Sequence, residues 1–232
     1  MPVFFDAETS GLFDDADDDS SGPTAPDLYC VCAYDSESKA TKRFYERAGG
    51  PMQPQTVEKA AQYLLGCSQR VVGFNSAAYD LRLLAHHCLA PELKQRLAEL
   101  AFEHTDVLLS FWSRTGYPSS LQSFATGMGC GSKLMEGQNA ITAWQNNELE
   151  TVLEYCDSDC KILSDVYDYI TTNGRFARVS KAGKLQTTVV DGYCLENVLG
   201  ALENLDALDV SWMTTPLKPN IDWAFEQFGV DI

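Results

Sequence analysis

At 232 residues, 45% hydrophobic and 22% charged, the chain can bury one large core or two small ones, and no run approaches the ~20 apolar residues of a membrane span. A formal net charge of −16 argues against non-specific gripping of duplex nucleic acid, which phosphate neutralisation drives; a short end met by metal ions or a local basic patch stays compatible. Eight cysteines with no CxxC pair and no zinc-finger histidine spacing point to reduced thiols, and an N-terminus without a basic region reads as no signal peptide, so a cytoplasmic protein is expected.

The first twelve residues, MPVFFDAETSGL, read as a strand ending in a turn. Alternation puts Phe4, Asp6 and Glu8 on one face and Val3, Phe5 and Ala7 on the other. Two neighbouring carboxylates raise each other's pKa unless a cation lies between them, and hard divalent ions take oxygen ligands. The alternative is a strand end with two solvated acids. Phe13–Asp27 carries five Asp between positions 14 and 19, then Ser, Gly and Pro. It predicts a flexible solvated loop, without the Gly and closing Glu of an EF-hand.

Leu28–Tyr34 and Thr41–Tyr45 predict two strands of a meander joined by a polar turn. Gln55–Cys67 has helical spacing (Val57, Ala60, Ala61, Leu64, Leu65), and Arg70–Phe74 reads as a short buried strand. Ser76 predicts a cap for the next helix, with Leu81, Leu84, Ala85 and Cys88 on its apolar side. Pro91 opens a helix through Leu100. Phe102–Leu109 predicts a strand running into a helix, and Ser119 or Ser120 begins a short helix within Pro118–Gly127. The longest helix is expected over Asn147–Ile170. Val152, Tyr155, Asp159, Ile162 and Val166 form one row along it, and a lone carboxylate in such company is costly unless paired or metal-bound.

A hairpin follows (Phe176–Val179, Leu185–Val190), then a helix near Tyr193–Glu203 and an aromatic tail, Trp212–Phe228, that packs back. Arg175, Arg178, Lys181 and Lys184 put four of the 17 basic residues into this hairpin. They are a candidate phosphate-contacting patch, or else a charged edge that resists aggregation. Strands followed by alternating strands and helices predict an α/β domain with a mixed sheet. Residues 1–172 read as its core and 173–232 as an extension packed on the same domain.

Asp80, in GFNSAAYD, lies just past a strand and in a helix's first turn, so Asp6, Glu8, Asp80 and Asp159 can face one pocket. Four acids at one site call for two divalent ions, the arrangement that activates water in phosphodiester cleavage. In this order, FFDAETSGL, GFNSAAYD and YCDSD resemble the three motifs of the DEDD superfamily of 3′–5′ exonucleases, which have a ribonuclease H-like fold. Asp6 to Leu12 match the first motif. Asn75, Tyr79 and Asp80 match the second with one extra residue, and Tyr155 and Asp159 match the third. Tyrosine where the sister branch has histidine marks the Tyr-type branch, and the set is most similar to the proofreading domain of family B DNA polymerases.

The resemblance implies an α/β fold, a ribonuclease H-like mixed β-sheet flanked by α-helices. It implies two Mg²⁺ or Mn²⁺ ions, one held by Asp6, Glu8 and Asp159 and the other by Asp6 with Asp80 nearby. Tyr155 would orient or help deprotonate the attacking water, with orientation favoured by a phenol pKa near 10. Leu12 would wedge against the terminal base, Thr9 would contact the terminal sugar, and Asn75 would position a phosphate or sugar. Core packing is the alternative for Leu12, and local capping for Thr9 and Asn75. The implied activity is removal of nucleoside monophosphates from a 3′ end, of single-stranded DNA before RNA, by a stand-alone enzyme. An exoribonuclease and a weakly catalytic binding module with the same fold are the other readings. His86, His87 and His104 do not sit where the His-type branch carries its base and are expected to be structural or solvated.

Overall fold

Val3, Phe4 and Phe5 are buried on both faces of the strand they form, and that strand is the middle of the sheet. The structure, a computed structural model, describes residues 1–13, 25–131, 137–211, 213 and 218–228. The Asp-rich segment after Phe13 therefore lies outside the described residues. Strand β1 (Val3–Thr9) pairs antiparallel with β2 (Leu28–Asp35), and β2 with β3 (Ala40–Tyr45), in the expected meander. On its other side β1 runs parallel to β4 (Val71–Gly73), and β4 to β5 (Thr105–Asp106), because helical crossovers connect them. The five strands are ordered β3-β2-β1-β4-β5, a mixed sheet.

Helices cover both faces. Val3 and Phe5 pack with α1 (Pro54–Leu65), α2 (Asp80–His87) and α3 (Pro91–Glu103); later α8 (Val198–Ala207) and α9 (Asp222–Phe228) add Val198, Ala201 and Trp223 to the same cluster. Phe4 packs on the opposite side with α4 (Val107–Thr115), α5 (Leu121–Met128) and α7 (Leu149–Asn173). The alternation expected for β1 is therefore the division between two core layers. Among the described residues no helix is long and apolar enough to cross a membrane.

Several boundaries differ from the sequence reading. Phe102 and Glu103 belong to α3, and the strand that follows is only Thr105–Asp106, because Asp106 already caps α4 by accepting from Leu109 N. Ser76 caps nothing: its hydroxyl meets His104 Nε2 at 2.8 Å, and α2 starts at Asp80 with no side-chain cap. Ser120 does cap α5, through Ser123 N. Helix α7 starts two residues later than expected because Asn147 is left-handed (φ 60°). It ends at Gly174, whose φ of 62° suits glycine. The helix expected at Tyr193–Glu203 is instead one 3₁₀ turn at Asp191–Tyr193 and then α8, capped by Asn197. Helix α6 (Gly137–Gln145) was not expected.

The hairpin of β6 (Arg175–Val179) and β7 (Leu185–Val189) lies on α5, closely enough that Gly127 has no room for a side chain. A Cβ there would stand 2.5 Å from Arg178 Cα and 2.6 Å from its N, both backbone atoms. Alanine normally gains about 1 kcal/mol over glycine inside a helix. Here Gly127→Ala is expected to cost about 2–3 kcal/mol by urea unfolding. A gain would show that α5 and β6 part without penalty. Arg178 is partly consumed within the fold, its guanidinium over the Tyr117 ring at 5.0 Å and bonded to the Tyr117 hydroxyl at 3.2 Å. Arg175, Lys181 and Lys184 remain exposed.

Candidate metal centre

Asp6 and Glu8 leave β1 on the face that α7 covers, both half-buried. Their carboxylate oxygens and Cys156 Sγ lie within 4.8 Å of one another. Cys156 fastens the helix to the strand by donating to Asp6 O at 3.3 Å. Its neighbour Tyr155 is 2% exposed and Asp159, one turn on, 3%. The row read from the sequence, Val152 to Val166, is buried throughout. The charges of Asp6 and Asp159 both act on Cys160 and, with burial first, push its thiol up to about 11.

Asp80 arrives from the opposite side of β1. It is 4% exposed, its own and the Ala7 backbone N–H groups reach its carboxylate, and Oδ1 is buried with no hydrogen-bond partner. Burial, and then the Asp6 and Asp106 charges, hold its carboxyl well above the usual carboxylate range. An aspartate raised in this way binds more protons folded than unfolded, so stability falls as pH climbs from about 4 through the folded value. In chelator-treated protein, Asp80→Asn should therefore raise Tm more at pH 8 than at pH 5, read by circular dichroism. Equal changes at both pH values would contradict this.

The sequence reading missed what holds Asp80 in place. Asp106 is 2% exposed and accepts from Asn75 N (3.0 Å), Ala77 N (3.1 Å) and Leu109 N (3.1 Å). It fixes the turn before α2 and caps α4 at once. An Asp between a strand pattern and an apolar helix was the available signal. Arg43 was missed as well: it bonds Asp157 Oδ2 and Glu150 Oε1, each at 2.6 Å, tying β3 to α7 beside the site. Glu150 and Asp157, seven apart, share a helix face, which is what that guanidinium spans.

The remaining candidates divide. Thr9 is buried, and its hydroxyl is spent on Gly11 O (2.7 Å) and Tyr79 Oη (2.8 Å); Tyr79 in turn donates to Gly11 O and meets Phe13 edge-to-face. The turn after Glu8 is thus locked by a tyrosine that the sequence offered only as a motif match. Leu12 is 81% exposed at that turn, which excludes core packing. Asn75 is exposed and left-handed (φ 61°), with its side chain toward solvent and its backbone N–H on Asp106. None of the three histidines joins the acids in a metal-ligand group among the described residues. His104 Nδ1 donates to Leu100 O, leaving Nε2 to accept from Ser76, and burial lowers its pKa. His87 contacts Pro26 O, and His86 lies edge-on to Phe13.

Among the described residues Asp6 and Glu8 come within reach of a common ion together with Cys156 Sγ, whereas Asp80 and Asp159 stand outside that group. All four acids supply hard oxygen donors and Asp80 Oδ1 is a buried acceptor with nothing to accept from, so the residues present fit divalent cations. No curated protein matches the chain. A family model described as the RNase H superfamily matches residues 3–171, from the first residue of β1 to the last turn of α7. With the mixed sheet, its helical layers and most of the sequence inside that match, the chain belongs to the RNase H superfamily.

Proposed function

We propose that this protein is a metal-dependent 3′–5′ exonuclease of the Tyr-type DEDD branch, releasing nucleoside monophosphates from 3′ ends, of single-stranded DNA in preference to RNA. Superfamily membership supports nuclease-type activity on nucleic acid, and nucleases of this superfamily generally use divalent ions. The observation that supports the finer reading is the buried row of α7 that sets Tyr155 one turn before Asp159, packed on the strand that carries Asp6 and Glu8. Asp80, a buried carboxylate with one oxygen unmet, supports the metal. Cations would relieve the repulsion between Asp6 and Asp80, as protonation of Asp80 does in their absence.

Asp6, Glu8 and Asp159 would hold one Mg²⁺ or Mn²⁺, and Asp6 with Asp80 the second. When bound, two such ions activate a water and neutralise charge on the leaving oxygen. The chain's own contribution is positional. Asp6 and Glu8 are fixed by β1, and Asp159 by the α7 row that Cys156 ties to Asp6 O. Tyr155, one turn before Asp159, orients the water through its hydroxyl, since a phenol is a poor base at neutral pH. Leu12, exposed beside the acids, meets the terminal base. Thr9 acts through the turn it locks, presenting backbone to the terminal sugar, and Asn75 meets a phosphate or sugar from the other rim.

The test is a 5′-labelled single strand, offered as DNA and as RNA with Mg²⁺ or Mn²⁺. Single-nucleotide shortening from the 3′ end, faster on DNA, is expected, with circular single-stranded DNA left intact. Cutting of the circle would replace the exonuclease reading with an internal one. Faster shortening of RNA would make it an exoribonuclease, and no shortening of either would leave a binding module.

A further inference from the structure

Four thiols meet behind the acids, where the proposed reaction does not use them. Cys30 and Cys32, two apart on β2, point to the same face of the sheet, and Cys156 and Cys160, four apart on α7, point back at them. All four are 0% exposed. The sulfurs of Cys30, Cys32 and Cys156 lie within 4.8 Å of one another. Cys160 Sγ donates to Cys32 O at 3.4 Å, from one turn beyond Cys156. Val152, Leu153 and Ala143 close the surroundings with apolar groups.

We propose that Cys30, Cys32 and Cys156, with Cys160 as the fourth ligand, form a structural site for a thiophilic divalent cation of the zinc class. Two sulfurs on a tetrahedral zinc with Zn–S near 2.3 Å stand ~3.8 Å apart, so the cluster needs only to contract. Soft sulfur in a dry shell selects such an ion over Mg²⁺, as the oxygen donors in front select the reverse. The present partners of Cys32, Cys156 and Cys160 are carbonyl oxygens at 3.3–4.0 Å, and the four thiols also bond one another, weak contacts that metal–sulfur bonds replace with little loss. Burial is no obstacle, because such ions enter as the chain folds, and the displaced thiol protons go to solvent. An ion here clamps α7, with Tyr155 and Asp159, to β2, the neighbour of the strand that carries Asp6 and Glu8.

The site is tested on the full chain by titrating Cd²⁺ and Co²⁺ in the presence of excess Mg²⁺ and following thiolate-to-metal charge transfer. One equivalent is expected to develop the band. Asp6→Asn, Cys67→Ala and Cys194→Ala should keep it, and Cys30→Ala/Cys32→Ala should lose it or weaken binding more than about tenfold. X-ray absorption of the zinc-loaded wild type should show three or four sulfur neighbours, a result that does not depend on any variant folding. No charge-transfer band, a band that survives the double substitution, or a purely oxygen shell would overturn the proposal. None of these readouts requires nuclease activity, so the site and the exonuclease reading fail separately.

Discussion

Asp6→Asn is expected to reduce phosphodiester hydrolysis by at least about a thousandfold while leaving the metal-free fold as stable as wild type or more so. The first half follows from what the carboxylate would do. Charge stabilisation by bound ions is worth several kcal/mol in the transition state, and about 4 kcal/mol is a factor of ~10³. The second half follows from the structure. Asp6 is among the charges that raise Asp80, so removing it relieves a repulsion. A residue needed only for packing would lose activity and Tm together. Mg²⁺ sharpens the comparison: an ion that binds only the folded chain raises Tm by mass action, and this rise should be large for wild type and small for Asp6→Asn. Melts of both proteins with and without Mg²⁺, beside a gel assay on labelled oligonucleotide, make the comparison. Full activity in the variant would remove Asp6 from the mechanism.

Asp106→Ala is expected to destabilise the chain by about 3–5 kcal/mol in urea unfolding, although Asp106 is no proposed ligand. Three backbone N–H groups, on Asn75, Ala77 and Leu109, lose their acceptor, and leaving a buried donor unmet costs about 1–3 kcal/mol. The turn they hold delivers Asp80 to the site, so activity should fall even at temperatures where the variant is folded. Asp106→Asn keeps one acceptor oxygen and should land between the two. A loss below about 1 kcal/mol for Asp106→Ala would mean that solvent reaches the turn and replaces the carboxylate.

The parts of the molecule that were legible in the sequence are those set by short-range periodicity. Period two in VFFDAE assigned Phe4 and Phe5 to opposite core layers, and steps of three and four along α7 put Tyr155 and Asp159 on the buried row. The mixed sheet followed from a meander succeeded by crossovers. What stayed hidden depends on distant partners. Ser76 had the sequence of a helix cap, yet His104, 28 residues on, takes its hydroxyl. Asp106 looked like a strand end because its three bonds reach back some thirty residues and forward only three. The thiol cluster was invisible as spacing, since neither Cys30/Cys32 nor Cys156/Cys160 is a zinc motif alone; the packing of α7 on β2 makes it one group. Helix α6 is only nine residues long and is held by distant partners, Ala143 in the thiol-lined cluster and Trp144 stacked on Tyr29 at 3.9 Å.

The central claim, a two-ion centre built by β1, α2 and α7, is met most directly by anomalous diffraction from crystals soaked in Mn²⁺. The arrangement of Asp6, Glu8, Asp80 and Asp159 predicts two peaks about 3.5–4 Å apart, one against Asp6, Glu8 and Asp159 and one against Asp6 and Asp80. Crystals that take up Mn²⁺ elsewhere, with no peak at Asp6, would contradict it.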